Sequence, residues 1–421
     1  MKLAVIGTGI AGMACAYFLR DRFDEVVVYE KNDYVGGHTN TVYVDEEGRK
    51  VPIDTGFMVY NDRTYPNLIQ FFDRLGIVPK NTSMSFSVNH RDEAFEASFS
   101  DLKTFFPSLG SFANPSRYRL LAGLKRLFER AHAFIDQNPS HTVSLKQFVR
   151  EQRIPTIVTE KFLLPMTAAI WSTPHLRMLD YPAATLFRFL SNHGMLGFGD
   201  QFQWKTLVGG SQQYKSKILQ AIGDRITTSN GAVQVTQNEK SVDILDSRGE
   251  RKTFDKAILA SHADESLALL KNPSELQSNL LSRFHYNRNP VSLHTDPTVM
   301  PRMRRAWASW NYRYERMEGE LVGSTHYWMN NLQGVSNRNN YFVSVDYKGA
   351  LDESKVLWRK TYHHPRFDEQ AIAAQRDLPQ LNENGPLYFC GSYFKYGFHE
   401  DAFTSALHVS QKLNHGKDPL P

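Results

Sequence analysis

The sequence is poor in cysteine, with two in 421 residues. No disulfide framework staples the fold, and a reducing, cytoplasmic compartment is the natural expectation. Long apolar runs are missing as well: none approaches the roughly twenty residues needed to cross a bilayer. The apolar stretch at the N-terminus lacks a cleavage-site pattern, which argues against a signal peptide. Metal-ligand spacing is absent too. His38, His193, His262, His294, His326, His399 and the pair His363-His364 are scattered without the i,i+4 or C-x2-C intervals of a ligand set, so no metal is expected. There is no G-x-S-x-G elbow, no internal repeat and no low-complexity tract. The net charge of +5 is spread along the chain, and Pro301-Arg302-Met303-Arg304-Arg305 is its one dense basic cluster. Nucleic acid is therefore not an expected partner.

What is present is glycine in a particular order. Gly7-Thr8-Gly9-Ile10-Ala11-Gly12 follows the apolar run Lys2-Leu3-Ala4-Val5-Ile6 and precedes Ala16, Phe18 and Leu19, then Val26-Val27-Val28-Tyr29-Glu30. This order predicts a strand, tight turn, helix and second strand ending in a carboxylate: a dinucleotide-binding βαβ unit. Gly7 permits the turn, Gly9 lets a diphosphate approach the backbone, and Gly12 lets the helix pack on the sheet. Ile10 and Ala11 open the helix, whose unpaired N–H groups and positive dipole end face the diphosphate. Glu30 is placed to accept from ribose hydroxyls, and its charge disfavours a 2′-phosphate. A second glycine pair, Gly36-Gly37, follows in Lys31-Asn32-Asp33-Tyr34-Val35-Gly36-Gly37-His38-Thr39 and offers backbone to the other side of the diphosphate.

At this element the chain resembles the flavin-containing amine oxidoreductase superfamily, which includes amine oxidases, carotenoid desaturases and protoporphyrinogen oxidases. Its members carry E-x6-G-G after the first βαβ unit, usually followed by Arg; here His38 follows. The resemblance reappears at Leu387-Tyr388-Phe389-Cys390-Gly391-Ser392 and Gly397-Phe398-His399-Glu400-Asp401-Ala402, which look like the closing strand, glycine turn and flavin-facing helix. The usual Asp is replaced by Ser392. Trp204-Lys205-Thr206-Leu207-Val208-Gly209-Gly210-Ser211 resembles the superfamily's W-x4-G-G-S element. The resemblance implies FAD, bound non-covalently. Lys31, His38, Thr39, Gly56, Phe57, Ala260, Gly391 and Ser392 join the glycine loops in its site. Val233 meets the adenine through its backbone, and the N–H groups of Asp401 and Ala402 face the flavin.

The implied fold is α/β, a Rossmann-like, glutathione-reductase-like FAD-binding domain with an interleaved α+β substrate domain. Residues 1–80, 204–268 and 385–421 are expected to form the first, and residues 81–203 and 269–384 the second. Cys15 and Cys390 then read as small packing residues within nucleotide-binding elements. Phe86, Phe95, Phe99, Phe105, Phe106 and Phe112 read as core packing in preference to a lipid channel. Leu120, Leu124, Leu127, Phe128, Ala131, Phe134 and Ile135 recur at helical spacing, with Arg117, Arg119, Lys125, Arg126 and Arg130 between them. This helix over 117–135 reads as a core helix with a solvated basic face in preference to one lying on an anionic membrane.

Val51-Pro52-Ile53-Asp54-Thr55-Gly56-Phe57-Met58-Val59-Tyr60-Asn61 and Arg305-Ala306-Trp307-Ala308-Ser309-Trp310 resemble a bacterial subgroup of flavin oxidoreductases that accompany cyclopropane fatty acid synthases. That association points to an apolar or lipid substrate, dehydrogenated at a carbon–carbon bond. Amine oxidases of the superfamily place a lysine near the flavin, and the corresponding region here, Thr325 to Gln333, contains none. Two further readings stay open: a peroxide-releasing amine oxidase, and a non-catalytic flavin-binding partner of a lipid-modifying methyltransferase. Hydride transfer needs alignment, exclusion of water and a destination for a proton. His399, whose type titrates nearest neutrality, and Tyr60 are the candidate proton acceptors, with a purely structural hydrogen bond as the competing role for His399.

Overall fold

The computed structural model describes residues 1–137, 143–198 and 202–420. Its organising layer is a five-stranded parallel sheet ordered Ile226–Thr227, Glu25–Tyr29, Lys2–Ile6, Lys256–Leu259, Leu387–Phe389. The middle strands are near-continuous apolar runs because helices or chain cover both faces, which is the condition for a parallel sheet. On one face the helix Ile10–Leu19 packs between that sheet and the helix His399–Leu413, and Cys15 and Cys390 meet there, buried as free thiols with Sγ atoms 3.8 Å apart. The antiparallel meander Ala232–Gln237, Val242–Asp246, Arg251–Phe254 lies in the chain between the parallel-sheet strands Ile226–Thr227 and Lys256–Leu259.

A second, seven-stranded sheet runs in the order Val356–Arg366, His285–His294, Phe342–Val345, Glu320–Trp328, Trp310–Met317, Phe86–His90, Phe95–Ser98. All its pairings are antiparallel except that of Trp310–Met317 with Phe86–His90. Within it His294 and His326 each lie 2.7 Å from the Ser344 hydroxyl, so two of the scattered histidines are satisfied core groups. The chain passes from the parallel sheet to this one and back twice, so pieces distant in sequence build each layer.

A helical layer covers the seven-stranded sheet. Its longest member, Pro115–Asp136, starts where Asn114 Oδ1 accepts from the Ser116 N–H at 2.9 Å and Pro115 occupies the first turn, where no N–H is required. Leu120, Leu124, Leu127, Phe128 and Ala131 face inward, while Arg119, Lys125, Arg126 and Arg130 are exposed. Arg117 departs from the expected basic face. It is buried, donates to the carbonyls of Phe105 and Glu96 and lies over the Phe95 ring, so it ties the preceding loop to the sheet. Among the described residues no helix is long and apolar enough to cross a membrane.

Candidate functional site

Between the two sheets lies a cavity of about 690 Å³. One end is built from the glycine loops. Gly7 leaves its strand at φ +100°, a conformation that side chains disfavour, and a Cβ on Gly12 would stand 1.9 Å from the Gly7 carbonyl oxygen. A Cβ on Gly9 would meet nothing within 4 Å. Gly12 is therefore needed by the fold, whereas the space beside Gly9 is open to a ligand. Glu30 lines the wall with its carboxylate held in place: it accepts from the Thr8 N–H at 3.1 Å and hydroxyl, and from the Asn32 N–H and side-chain amide at 2.8 and 2.6 Å. The Thr8 hydroxyl in turn accepts from the Gly36 N–H at 3.2 Å, which ties the two glycine loops together.

The roof of this end is the strand Val356–Arg366, whose residues Lys360 to Pro365 line the cavity. Tyr362 stacks on His38 at 4.7 Å, and His364 lies 5.2 Å from the same imidazole. Burial and neighbouring histidines push His38 well below the usual imidazole range, so it is neutral. Its Nε2 is buried without a hydrogen-bond partner, as is the hydroxyl of Tyr393, another lining residue. Buried polar atoms are nearly always satisfied, so these two are open to a polar ligand, as is the unpartnered Trp310 Nε1 at the other end.

The other end is aromatic. Trp171, Phe189, His193, Trp204, Trp310, Tyr327, Tyr396 and Phe398 line it. His193 is stacked on Phe189 at 3.9 Å and lies 2.8 Å from the Phe189 carbonyl, and burial lowers its pKa to about 4. It is thus an uncharged wall. The titratable carboxylates of the cavity, Glu30 and Glu265, are lining residues of the glycine-loop side.

Of the residues singled out from sequence, Gly7, Gly9, Ile10, Ala11, Glu30, Lys31, Gly37, His38, Gly56, Phe57, Ala260, Gly391, Ser392, His399 and Ala402 line the cavity together. Gly12, Gly36, Thr39 and Asp401 stand behind its wall. Thr39 shares hydrogen bonds with Tyr214 at 2.5 Å and with His399 at 3.2 Å, and the Asp401 carboxylate accepts from the N–H groups of Tyr396 and Phe398. Three expectations need correction. The Ala402 N–H closes the first helical turn on the Phe398 carbonyl at 3.1 Å, so the free donors of that helix belong to the residues before it. Val233 sits at a bulge between Ala232 and Gln234 with its side chain outward, 51% exposed, and the adjoining Gly231 and Ala232 line the cavity, which leaves the expected backbone contact as an expectation. Tyr60 is withdrawn into the cluster of Phe57, Tyr65 and Phe72, where burial pushes its hydroxyl up to about 12; it is no proton acceptor. His399 lies in the wall, stacked on Phe57 at 4.1 Å and hydrogen-bonded with Tyr214 at 2.9 Å. Burial lowers it to about 3, so it is a neutral positioning group at neutral pH rather than a base.

Lys360, Tyr362, His364 and the aromatic box went unread in the sequence. They reach the cavity by strand pairing across long separations, and the alternation Lys360-Tyr362-His364 was their one local signal.

The family model described as flavin-containing amine oxidoreductase matches residues 10–301. The chain is similar to the 15-cis-phytoene desaturase of Synechococcus elongatus, 27% identical over 184 residues that make up 40% of this chain and 37% of that protein. It is also similar to the chloroplastic/chromoplastic 15-cis-phytoene desaturase of Arabidopsis thaliana, 23% identical over 269 residues, 60% of this chain and 44% of that protein. The chain thus covers less than half the length of these curated relatives. Among solved structures, putrescine oxidase bound to putrescine superposes with a TM-score of 0.71 at 15% identity, over 99% of both chains. A CLA-producing fatty acid isomerase from P. acnes gives 0.65 at 13% identity, over 98% of this chain and 97% of that one. At these identities the structural likeness is one of fold. The family match runs from the first glycine turn into both sheets, and the whole-chain fold agrees with it: this chain belongs to the flavin-containing amine oxidoreductase family, and its cofactor is FAD.

Proposed function

We propose that this flavoprotein dehydrogenates a carbon–carbon bond in a long apolar substrate of the lipid type. FAD, when bound, supplies the acceptor for the hydride. The glycine loops and Glu30 would hold its nucleotide part, and the neutral His399, fixed by Tyr214 and Phe57, shapes the wall at the start of the helix His399–Leu413. The aromatic end excludes water and orients an apolar chain.

The observation that carries this reading is a second cavity of about 250 Å³ that shares Met84, Met195, Trp204 and Trp310 with the first. Phe86, Phe99, Phe105, Leu121, Leu124, Phe128, Phe162 and Met166 line it, so part of the phenylalanine-rich segment read as core packing is the wall of a chamber. The two spaces together give a substrate longer than one aromatic box somewhere to lie. The cavity's carboxylates, Glu30 and Glu265, are on the opposite side, so the aromatic end offers an ammonium substrate no anionic partner. That distribution favours the desaturase reading over an amine oxidase. The 15-cis-phytoene desaturases named above support the desaturase reading.

Leu102 and Phe198, 66% and 63% exposed, form the outer rim of the second chamber. Exposed Leu109, Phe112 and Tyr118 and the basic residues Arg119, Lys125 and Arg126 belong to the neighbouring stretch. We read this face as the side turned to an anionic lipid surface, or to a lipid-modifying methyltransferase that works there.

The test is anaerobic reduction of the bound flavin by unsaturated, methylated and cyclopropane phospholipids, followed as loss of visible absorbance. Leu121→Trp, which fills the second chamber, should shorten the acyl chain accepted while leaving flavin content unchanged. Absence of bleaching by every lipid, with peroxide release from amines, would replace this reading with the oxidase one. Absence of both, with co-purification of a methyltransferase, would favour the partner role.

A further inference from the structure

A bound FAD brings a diphosphate with two negative charges, and a protein that buries it must supply compensating charge or donors. The glycine loops supply backbone donors and a helix dipole, but the side chains beside them add no free positive charge. His38 is neutral, and Ser392 carries no charge. Lys31 is engaged in an ion pair with Glu265, and Lys215 donates to the Val35 carbonyl at 3.1 Å without lining the cavity.

We propose that Lys360 is the counter-charge for the cofactor's diphosphate, delivered from the seven-stranded sheet across the cavity rather than from the nucleotide-binding loops. Lys360, Tyr362 and His364 sit at alternate positions of one strand and so share a face. Tyr362 and His364 of that row touch His38, the residue that follows Gly37, which registers the row over the second glycine loop. Lys360 Nζ stands 3.3 Å from the centre of the Tyr34 ring in the same loop and 5.4 Å from that of Tyr362. It lines the cavity, and among the described residues it makes no ion pair with a carboxylate. Burial lowers its pKa to about 8, with Asp33 and Glu30 attracting the charge and Lys215 repelling it, so the ammonium is still the main form at pH 7. A half-buried ammonium held between two tyrosine rings, beside an imidazole with an unpartnered nitrogen, is an anion site with its cation in place. His38 Nε2 adds an unpartnered ring nitrogen on the same side.

The experiment measures release of FAD from the holoprotein on dilution, as the rise of flavin fluorescence, across a range of sodium chloride concentrations. Lys360→Met should speed release about 10- to 100-fold, the value of one charge-assisted hydrogen bond, and should flatten the salt dependence seen in the parent protein. Lys360→Arg should restore both. A K360M protein purified with less FAD than K360R counts as the same result. Release at the parent rate overturns the proposal. So does faster release with an unchanged salt dependence, because lost packing against Tyr34 would produce that without any charge interaction.

Discussion

The two ends of the central cavity are made differently. At the glycine-loop end, backbone does the shaping: turns with positive φ, close helix–sheet contact, and a carboxylate fixed by four donors. At the aromatic end, side chains do it, contributed by helices and by strands of the other sheet. The first kind of site depends on what a residue cannot carry, the second on what it can. Tolerance to substitution should therefore differ between them, steep and all-or-none at one end, graded and substrate-specific at the other.

The most damaging change should be Gly12→Ala. Its Cβ would press on the Gly7 carbonyl oxygen at 1.9 Å, and both atoms are backbone-fixed. We expect a loss of about 3 kcal/mol or more in stability and no retained flavin, read by thermal denaturation and visible absorption. Gly9→Ala separates binding from folding. Its Cβ meets no protein atom, so the apoprotein should melt at the parent temperature while FAD affinity falls about tenfold or more; an unchanged affinity would show that no ligand occupies that space.

A smaller effect, in stability alone, is expected from Asp401. Burial raises this carboxyl from 3.8 to about 7, so the folded state holds a proton that the unfolded state releases. The sign follows: its neutral form is stable below the unfolded pKa, and stability is lost as pH rises from about 4 through 7. Asp401→Asn should flatten the melting temperature across that window, whereas a parallel curve would mean that the carboxylate stays ionised on the Tyr396 and Phe398 N–H groups. The least effect should come from Tyr60→Phe, with flavin reduction unchanged and stability altered by less than about 1 kcal/mol. A large loss of reduction rate there would return Tyr60 to the chemistry.

The same contrast explains what could be read from the chain alone. Gly7, Gly9, Gly12 and Glu30 were legible because a strand–turn–helix is local, and each glycine has a steric reason within a few residues of itself. Gly391 and Ser392 were legible through a second local unit at the other end of the sequence. The aromatic box was not, because Trp171, Trp310 and Tyr327 have no mutual signal in sequence and meet through tertiary packing. Tyr60 was misjudged because its proximity to Gly56 in sequence does not reveal which way a two-residue strand turns its side chain. Arg117 follows the helical period of an exposed cation, yet the carbonyls of Phe105 and Glu96 gave it a buried place. For His399, sequence could offer the residue type and its position at a helix start, but not the packing against Phe57 and Tyr214 that suppresses its basicity.

The floor of the cavity is laid by the first strands of the parallel sheet, its roof by Val356–Arg366, and one wall by Gly391 to Ala402, after the strand Leu387–Phe389. In a chain made from its N-terminus onward, the nucleotide-binding turn emerges early and waits for its covering. Cofactor capture is thus a late step of biogenesis, and flavin supply would govern how much newly made protein matures rather than how fast its early segments fold.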